Sequence, residues 1–415
     1  VHAVADHKDP LNGGARMKIK QIRVVELDIP VTPPKSKPTR PAANKVSARR
    51  ALPINYYPEF PTAFGKMPGA GAGDVWVQVI AEDGTFGLGA CSYGEPVAAL
   101  IDYHYAPLLE GRDALATELL NDLMWRSVQN YGASGLATVA RSGVDLALWD
   151  LKGKLLGVPV YSLLGGPVRD KIPVYATSDD LDWSQELGFK AFKISNPAHY
   201  RMGLDGVNLA EEHIAKAREQ VGPNAELMYN PVSSFNVEFA IRVADRVRPY
   251  NLRWFEEPLI SSDLEGYVEL KKAVNWVPIA TGEHHHGRQA FRQLVERRAV
   301  DILQPDMKWS GGLTEVMKIY IIAEAAGLIT VPHTSAGTPW GQHFAAAAPE
   351  SPIAEYWMGS DPGIPLDEVC PIPGMPMPKD GFVTPSDAPG FGMEIKPEWI
   401  GPWDHTAAAR ARGIA

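Results

Sequence analysis

Three residues with oxygen-bearing side chains each close a short, mostly apolar run. They are Asn230 in Glu226-Leu-Met-Tyr-Asn230, Glu256 in Leu252-Arg-Trp-Phe-Glu256 and Glu283 in Pro278-Ile-Ala-Thr-Gly-Glu283. Their spacings of 26 and 27 residues match the chain consumed by one strand, one helix and the connections between them. Parallel strands of a barrel end on one face, so the three side chains are expected to converge there. Converging oxygen donors suit Mg2+, a hard cation that prefers carboxylate and carbonyl ligands. A single Glu at a strand end is more often a solvated surface group. Two on adjacent strands, beside a third oxygen donor, favour a ligand set. Asn230 offers a neutral carbonyl, which leaves the set one negative charge short of what an Asp would supply and predicts weaker cation binding.

The same reading brings more polar groups to that face: Lys193 and Ser195, Asp306, His333 and Glu355 at the ends of further strand-like runs. His333 and Asp306 close adjacent runs. A carboxylate on one ring nitrogen fixes the tautomer and leaves the other nitrogen as a base. A lone histidine after Val331-Pro332 would more often be structural; Asp306 beside it favours the catalytic reading. Lys193 is positioned to hold a substrate carboxylate or to stabilise charge developing on it. In His284-His285-His286 adjacent side chains point in different directions, so His284 is expected to reach substrate while the other two are structural or exposed. Lys308 reads as a solvated loop lysine.

Eight strand-like runs carry these residues: 172–176, 191–194, 226–230, 252–256, 278–282, 300–304, 328–332 and 353–357. Helical patterns, such as 207–221 and 235–247, fill most gaps. Eight βα units in about 200 residues fit a closed barrel better than an open doubly wound sheet, and no glycine-rich dinucleotide fingerprint follows the first run. Before the barrel, period-two alternation over 18–27 and 74–81, a turn at Asp83-Gly84 and helical patterns over 94–108, 113–131 and 134–155 predict a separate α+β domain. The expected fold is α/β: a modified (β/α)8 barrel at 151–360, an α+β capping domain at 17–150, and a Pro- and Gly-rich segment at 361–415 that packs back on the cap and completes it. Residues 1–16 read as a tail, with Met17 a candidate start.

The stretch 31–73 should be mostly loop. Between Asp28 and Glu59 it has no acid and six cations: Lys35, Lys37, Arg40, Lys45, Arg49 and Arg50. Either it is a basic disordered arm, or it closes over an anionic substrate at the barrel mouth. Arg40, Arg49 and Trp340 are the expected specificity contacts. With 415 residues, 45% of them hydrophobic, the chain can build two cores. The net charge of −9 argues against nucleic-acid binding. No run of eighteen apolar residues marks a membrane span. Two cysteines far apart, Cys91 and Cys370, make no metal or redox motif, and a cytoplasmic protein is expected.

Longer motifs bear a family likeness. Ser142-Gly-Val-Asp-Leu-Ala-Leu-Trp-Asp-Leu-Lys-Gly-Lys154, Leu163-Leu-Gly-Gly166, Trp254-Phe-Glu-Glu-Pro258, Thr281-Gly-Glu-His284, Gln304-Pro-Asp306 and Val331-Pro-His333 resemble the mandelate racemase group of the enolase superfamily. Within that group Gly282-Glu-His-His285, Trp309-Ser-Gly-Gly-Leu-Thr314 and Ala388-Pro-Gly-Phe-Gly-Met-Glu394 are similar to the dehydratases of L-rhamnonate-like sugar acids. The resemblance implies Mg2+ on Asn230, Glu256 and Glu283, a base dyad in His333 and Asp306, and an electrophilic carboxyl group in Glu355. It also implies abstraction of the proton α to a carboxylate, an enediolate, and a homo-oligomer acting on a small sugar acid. Many relatives carry Lys-x-Lys on the second strand, and here the motif is Lys193-Ile-Ser195. Racemisation needs a base on each face of the substrate, whereas dehydration can use His333 alone. The expected reaction is therefore aldonate to 2-keto-3-deoxy acid. An isomerase or cycloisomerase on the same scaffold, or a weakly active paralogue with impaired metal binding, are the alternatives.

Overall fold

The computed structural model describes residues 17–42, 50–57, 59–60, 74–407 and 410. Arg49 and Lys45 of the basic stretch lie outside them. Two sheets organise the chain. Strands β1 (Ile19–Leu27), β2 (Val75–Ala81) and β3 (Phe86–Cys91) form an antiparallel sheet, and β13 (Ile400–Pro402) adds to its free edge by pairing with β1. The C-terminal segment thus completes the cap sheet. The second sheet is parallel: β4 (Ile172–Thr177), β5 (Ala191–Ser195), β6 (Glu226–Asn230), β7 (Trp254–Glu256), β8 (Ile279–Thr281), β9 (Ile302–Leu303), β10 (Ile329–Thr330) and β11 (Ala354–Trp357). All eight expected runs are strands. Each pairs with its neighbour in sequence and β11 pairs with β4, while β10 and β11 share no ladder among the described residues. A short β12 (Phe382–Val383) from the C-terminal segment pairs antiparallel with the outer end of β4.

Side chains close the barrel where the ladder does not. Tyr175, Ala191, Met228, Trp254, Ala280, Ile302, Val331 and Ile353, one from each strand or its flank, form a single buried cluster. This is the apolar plug expected inside an eight-stranded barrel. Strand side chains alternate with period two, so residues two positions further along point the same way and form the next layer. Those residues are Thr177, Lys193, Asn230, Glu256, Gln304, His333 and Glu355. On the fifth strand the second position is Gly282, at φ 149°, and a Cβ there would sit 2.7 Å from the Gln304 nitrogen. The glycine lets the chain step past Gln304, so that Glu283 takes the inward place one residue late.

The cap contributes one central helix, Leu136–Leu156, buried on nearly every side. It lies close against β3: Cβ atoms on Gly87 or Gly89 would come within 2.2–2.4 Å of its backbone. Its other face is polar yet buried, and it grips the loop after β9. The Ser142 hydroxyl accepts from Gly311 N (2.8 Å), Asp145 accepts from Thr314 N (2.9 Å), and Trp149 Nε1 donates to Thr314 Oγ1 (2.8 Å). The Ser142–Lys154 and Trp309–Thr314 motifs are therefore two sides of one interface. The remaining cap helices differ from expectation in detail. The 94–108 pattern is a helix interrupted by a π-helical turn at Ile101–Tyr105. The 113–131 pattern is helical only over Thr117–Ser127, because Arg112 and Ala114 are taken up by backbone bonds to Ile19 and Met17. No helix among the described residues is long and apolar enough to cross a membrane.

Candidate active site

The polar layer above the plug opens into two connected cavities. The inner recess, about 30 Å3, is lined by Thr177, Lys193, Asn230, Glu283, His333 and Glu355, among others. The outer one, about 430 Å3, shares Arg50, Val232, Glu283 and His333 with it and is walled by Tyr93, His284 and Trp309. Polar groups from six strand ends thus meet at one mouth.

Lys193 is only 2% exposed; its Nζ contacts Glu256 Oε1 and lies 2.7 Å from Glu355 Oε1. Burial alone would lower the ammonium, but Glu256, Glu355 and Glu283 outweigh it and hold Lys193 above the usual lysine range. Glu256 is saturated with donors. Besides Lys193, Asn230 Nδ2 (2.7 Å) reaches Oε1, and Trp254 Nε1 (2.9 Å) and Gln304 Nε2 (2.8 Å) reach Oε2. Burial pushes its carboxyl up and Lys193 pulls it down; four donors and no acceptor favour the carboxylate. Glu355 accepts from Thr177 Oγ1 (2.5 Å) and Thr334 N (2.9 Å). Burial opposes its ionisation, yet Lys193 and His333 hold it below the usual carboxylate range.

His333 Nδ1 lies 2.7 Å from Asp306 Oδ2, and its Nε2 faces the cavity, 3.8 Å from Glu283 Oε2. The pairing commits Nδ1–H to the carboxylate and leaves Nε2 to the cavity. Asp306 is itself oriented by Lys308 N (2.6 Å). The Trp309 ring lies against both His333 and His284, with centroids 5.3 and 5.7 Å away. Burial opposes the imidazolium of His333, but Glu283, Asp306 and Glu355 raise it to about 9. Conversely Glu283, despite burial, falls to about 2 beside His333, His284 and Arg50.

His284 lines the outer cavity and pairs with Glu257 at 2.6 Å, which overcomes burial and lifts it to about 9. His285 is buried, and His286 Nδ1 faces Trp309 O at 3.1 Å. Ser195 turns away from catalysis: its hydroxyl donates to Asp179 (2.5 Å). Lys308 pairs with Asp74 of the cap at 2.8 Å. Arg40 and Trp340 are not at the cavities that hold His333. Arg40 grips both oxygens of Asp180 (2.9 and 3.0 Å) and fastens its loop to the barrel. Trp340, 2% exposed, packs against Trp76 and Phe391 and walls a separate cavity of about 450 Å3. Among the described cations of the basic stretch, Arg50 reaches the mouth, 3.7 Å from Glu283, and is held in place through Ala51 N, which donates to Asn196 O at 2.7 Å. Nothing in the pattern of the basic stretch separates Arg50 from its five neighbours. Gln304, by contrast, could have been found by counting two residues on from Ile302.

Two donor sets could hold a divalent cation. Glu257, Glu283 and His284 bring three ligand atoms within 4.8 Å of one another, but one is an imidazole paired to a carboxylate, a poor partner for Mg2+. The carboxylates of Glu256 and Glu283 are the oxygen donors of the expected set; Glu283 lines the inner recess, which has room for an ion, and Glu256 is bonded to Lys193 and Asn230 of its wall. These residues fit Mg2+. Asn230 fits less simply, because its oxygen accepts from Val232 N at 2.7 Å.

Comparison with known proteins agrees with this fold. Residues 59–165 match the N-terminal domain of the mandelate racemase / muconate lactonizing enzyme family, and 179–399 match the enolase C-terminal domain-like family. L-rhamnonate dehydratase of Saccharopolyspora erythraea is 39% identical over 363 residues, 86% of this chain and 92% of that protein. The crystal structure of rhamnonate dehydratase from Gibberella zeae complexed with Mg superposes with a TM-score of 0.85 at 32% identity, covering 93% of this chain and 96% of that one. The 3,6-anhydro-D-galactonate cycloisomerase from Zobellia galactanivorans gives a TM-score of 0.71 at 27% identity, over 92% and 97%. The chain belongs to the mandelate racemase / muconate lactonizing enzyme family of the enolase superfamily.

Proposed function

We propose that this chain is a Mg2+-dependent hydro-lyase that converts aldonates of the L-rhamnonate type to 2-keto-3-deoxy acids. One observation carries the reading: the His333–Asp306 dyad points into a cavity of sugar-acid size, while the second-strand position of a base for the opposite face is a serine tied to Asp179. That arrangement suits elimination rather than racemisation, and it accords with the names of the relatives. Glu256 and Glu283 would hold the cation, which would supply positive charge at the substrate carboxylate. His333 Nε2, as the neutral imidazole, takes the C2 proton, and Asp306 orients the ring and stabilises the imidazolium. The imidazolium then gives its proton to the departing 3-hydroxyl, which leaves as water. The enol so formed tautomerises to the 2-keto-3-deoxy acid. Lys193 balances the negative charge of Glu256 and Glu355, and Arg50 and His284 bind the acid. We place the enzyme in the cytoplasm as a homo-oligomer.

The test is a panel of sugar acids incubated with the enzyme, with and without EDTA, and read as 2-keto acid. L-Rhamnonate should give product only with Mg2+. Exchange of the α-proton with D2O and no keto product from any acid would overturn the dehydratase reading in favour of the isomerase.

A further inference from the structure

Asn230 closes the third strand where the ligand set needs an oxygen, and both ends of its amide are committed. Its oxygen accepts from Val232 N at 2.7 Å, and its nitrogen donates to Glu256 Oε1 at 2.7 Å. This orientation is dictated by chemistry. A backbone N–H must face an acceptor, so the oxygen belongs on Val232 and the NH2 group faces Glu256. Turning the amide round would set N–H against N–H on one side and oxygen against carboxylate on the other. The loop that keeps the oxygen on Val232 is held by its own backbone. Val232 and Ser233 are held at φ 51° and 58°, left-handed values that a β-branched residue rarely adopts, and Ser233 N is bonded to Glu257 O at 2.7 Å. Towards Glu256, then, this chain presents a hydrogen-bond donor where an Asp would present an anionic oxygen.

Glu256 has the same consequence, because it is already shared among four donors, from Lys193, Asn230, Trp254 and Gln304. A carboxylate arriving with the substrate would supply the missing oxygen together with its negative charge.

We propose, on the basis of the dehydratase reading above, that this chain takes up Mg2+ and its sugar acid as a pair, each strengthening the other, because Asn230 turns an N–H, and not an oxygen, towards the ligand carboxylate of Glu256. Linkage makes the effect reciprocal: the factor by which the acid tightens Mg2+ is the factor by which Mg2+ tightens the acid.

Calorimetric titration of Mg2+ tests this without turnover. The His333→Asn enzyme is titrated alone, with L-rhamnonate and with D-gluconate, and the series is repeated in Asp306→Asn so that one misfolded variant does not decide the result. Either acid should lower the Kd for Mg2+ about tenfold or more. Asn230→Asp, checked for folding by its thermal midpoint, should bind Mg2+ without acid about tenfold more tightly than the parent and lose most of the coupling. Asn230→Ala should bind Mg2+ no more weakly than the parent, whereas a ligand-bearing Asn230 would make it weaker. Equal Mg2+ affinity with and without both acids, or an unchanged acid-free affinity in Asn230→Asp, overturns the proposal. The two readings fail separately. If L-rhamnonate gives no keto acid, the coupling is still read with D-gluconate, which needs only its α-hydroxy carboxylate. If keto acid forms and coupling is absent, only the pairing is wrong.

Discussion

Replacing Lys193 by Met asks whether one buried ammonium keeps the barrel mouth folded as well as active. The side chain is 2% exposed and bridges Glu256 and Glu355, and Met nearly keeps its length while removing the charge. Two buried carboxylates then share the space, with Glu283 close by. Removing one partner of a buried ion pair costs about 3–5 kcal/mol. Proton uptake limits the loss. Burial already pushes the Glu256 carboxyl up, and without Lys193 it would rise further, at about 1.4 kcal/mol for each pH unit. A carboxyl whose folded pKa lies above its unfolded value gives full stability below that unfolded value, near 4.3, and loses it as pH rises to the folded value. The deficit against the parent should therefore be small at about pH 5 and grow to about 3–5 kcal/mol at about pH 8. Urea unfolding in EDTA, followed by tryptophan fluorescence at both pH values, measures it, and added Mg2+ should return part of the loss. A deficit under about 1 kcal/mol at the higher pH, or one equal at both, would refute the charge-balance argument.

Other perturbations separate the remaining roles. His333→Asn should lower kcat by about 10^2–10^4-fold with Mg2+ still bound in calorimetry; substantial dehydration by the variant would remove His333 from its role. Arg50→Gln should raise KM for the aldonate by about 10–100-fold, the equivalent of a hydrogen bond to a charged group, and change kcat less. An unaltered KM would place the acid elsewhere. His405 tests the tail that completes the cap. Both ring nitrogens face carboxylates, Glu95 at 2.8 Å and Asp102 at 3.0 Å, which requires the imidazolium with its two donors. Burial opposes that form, but the two acids raise His405 above its ordinary value. Docking is thus fully supported below the unfolded histidine value near 6.5 and weakens as pH rises through the folded one, by about 1 kcal/mol after allowance for solvent. Hydrogen exchange at Ile400 and Gly401 against pH should show this loss in the parent and not in His405→Gln; parallel profiles would discount the latch.

Much of the architecture was legible because strand and helix periods are local. Eight apolar runs of strand length, spaced by helical patterns, needed no partner to be recognised, and even the two-residue ladders of β9 and β10 sit inside runs read as strands. The layer of functional groups followed from the same arithmetic, since a barrel strand that ends in a polar residue must aim it at the mouth. Side-chain partners were less legible. Arg40 and Arg50 are ten residues apart in one basic stretch, yet one grips Asp180 on the barrel and the other walls the cavity. Trp340 follows the β10 loop closely in sequence, but the helix it opens carries it to the far wall, against Trp76.

From the sequence alone came the barrel, its cap, the dyad of His333 and Asp306, and the presence of an amide where an acid would be expected. These depend on residue type and spacing along the chain, and both are written in one dimension. The third dimension decided which atoms of those residues face the recess. Gly282 shifts Glu283 inward by one residue, the buried polar face of Leu136–Leu156 holds the loop that carries Trp309, and the Val232 amide claims the oxygen of Asn230. Each of these is a competition among neighbours remote in sequence for a limited number of donors and acceptors, and only the assembled fold brings the competitors together.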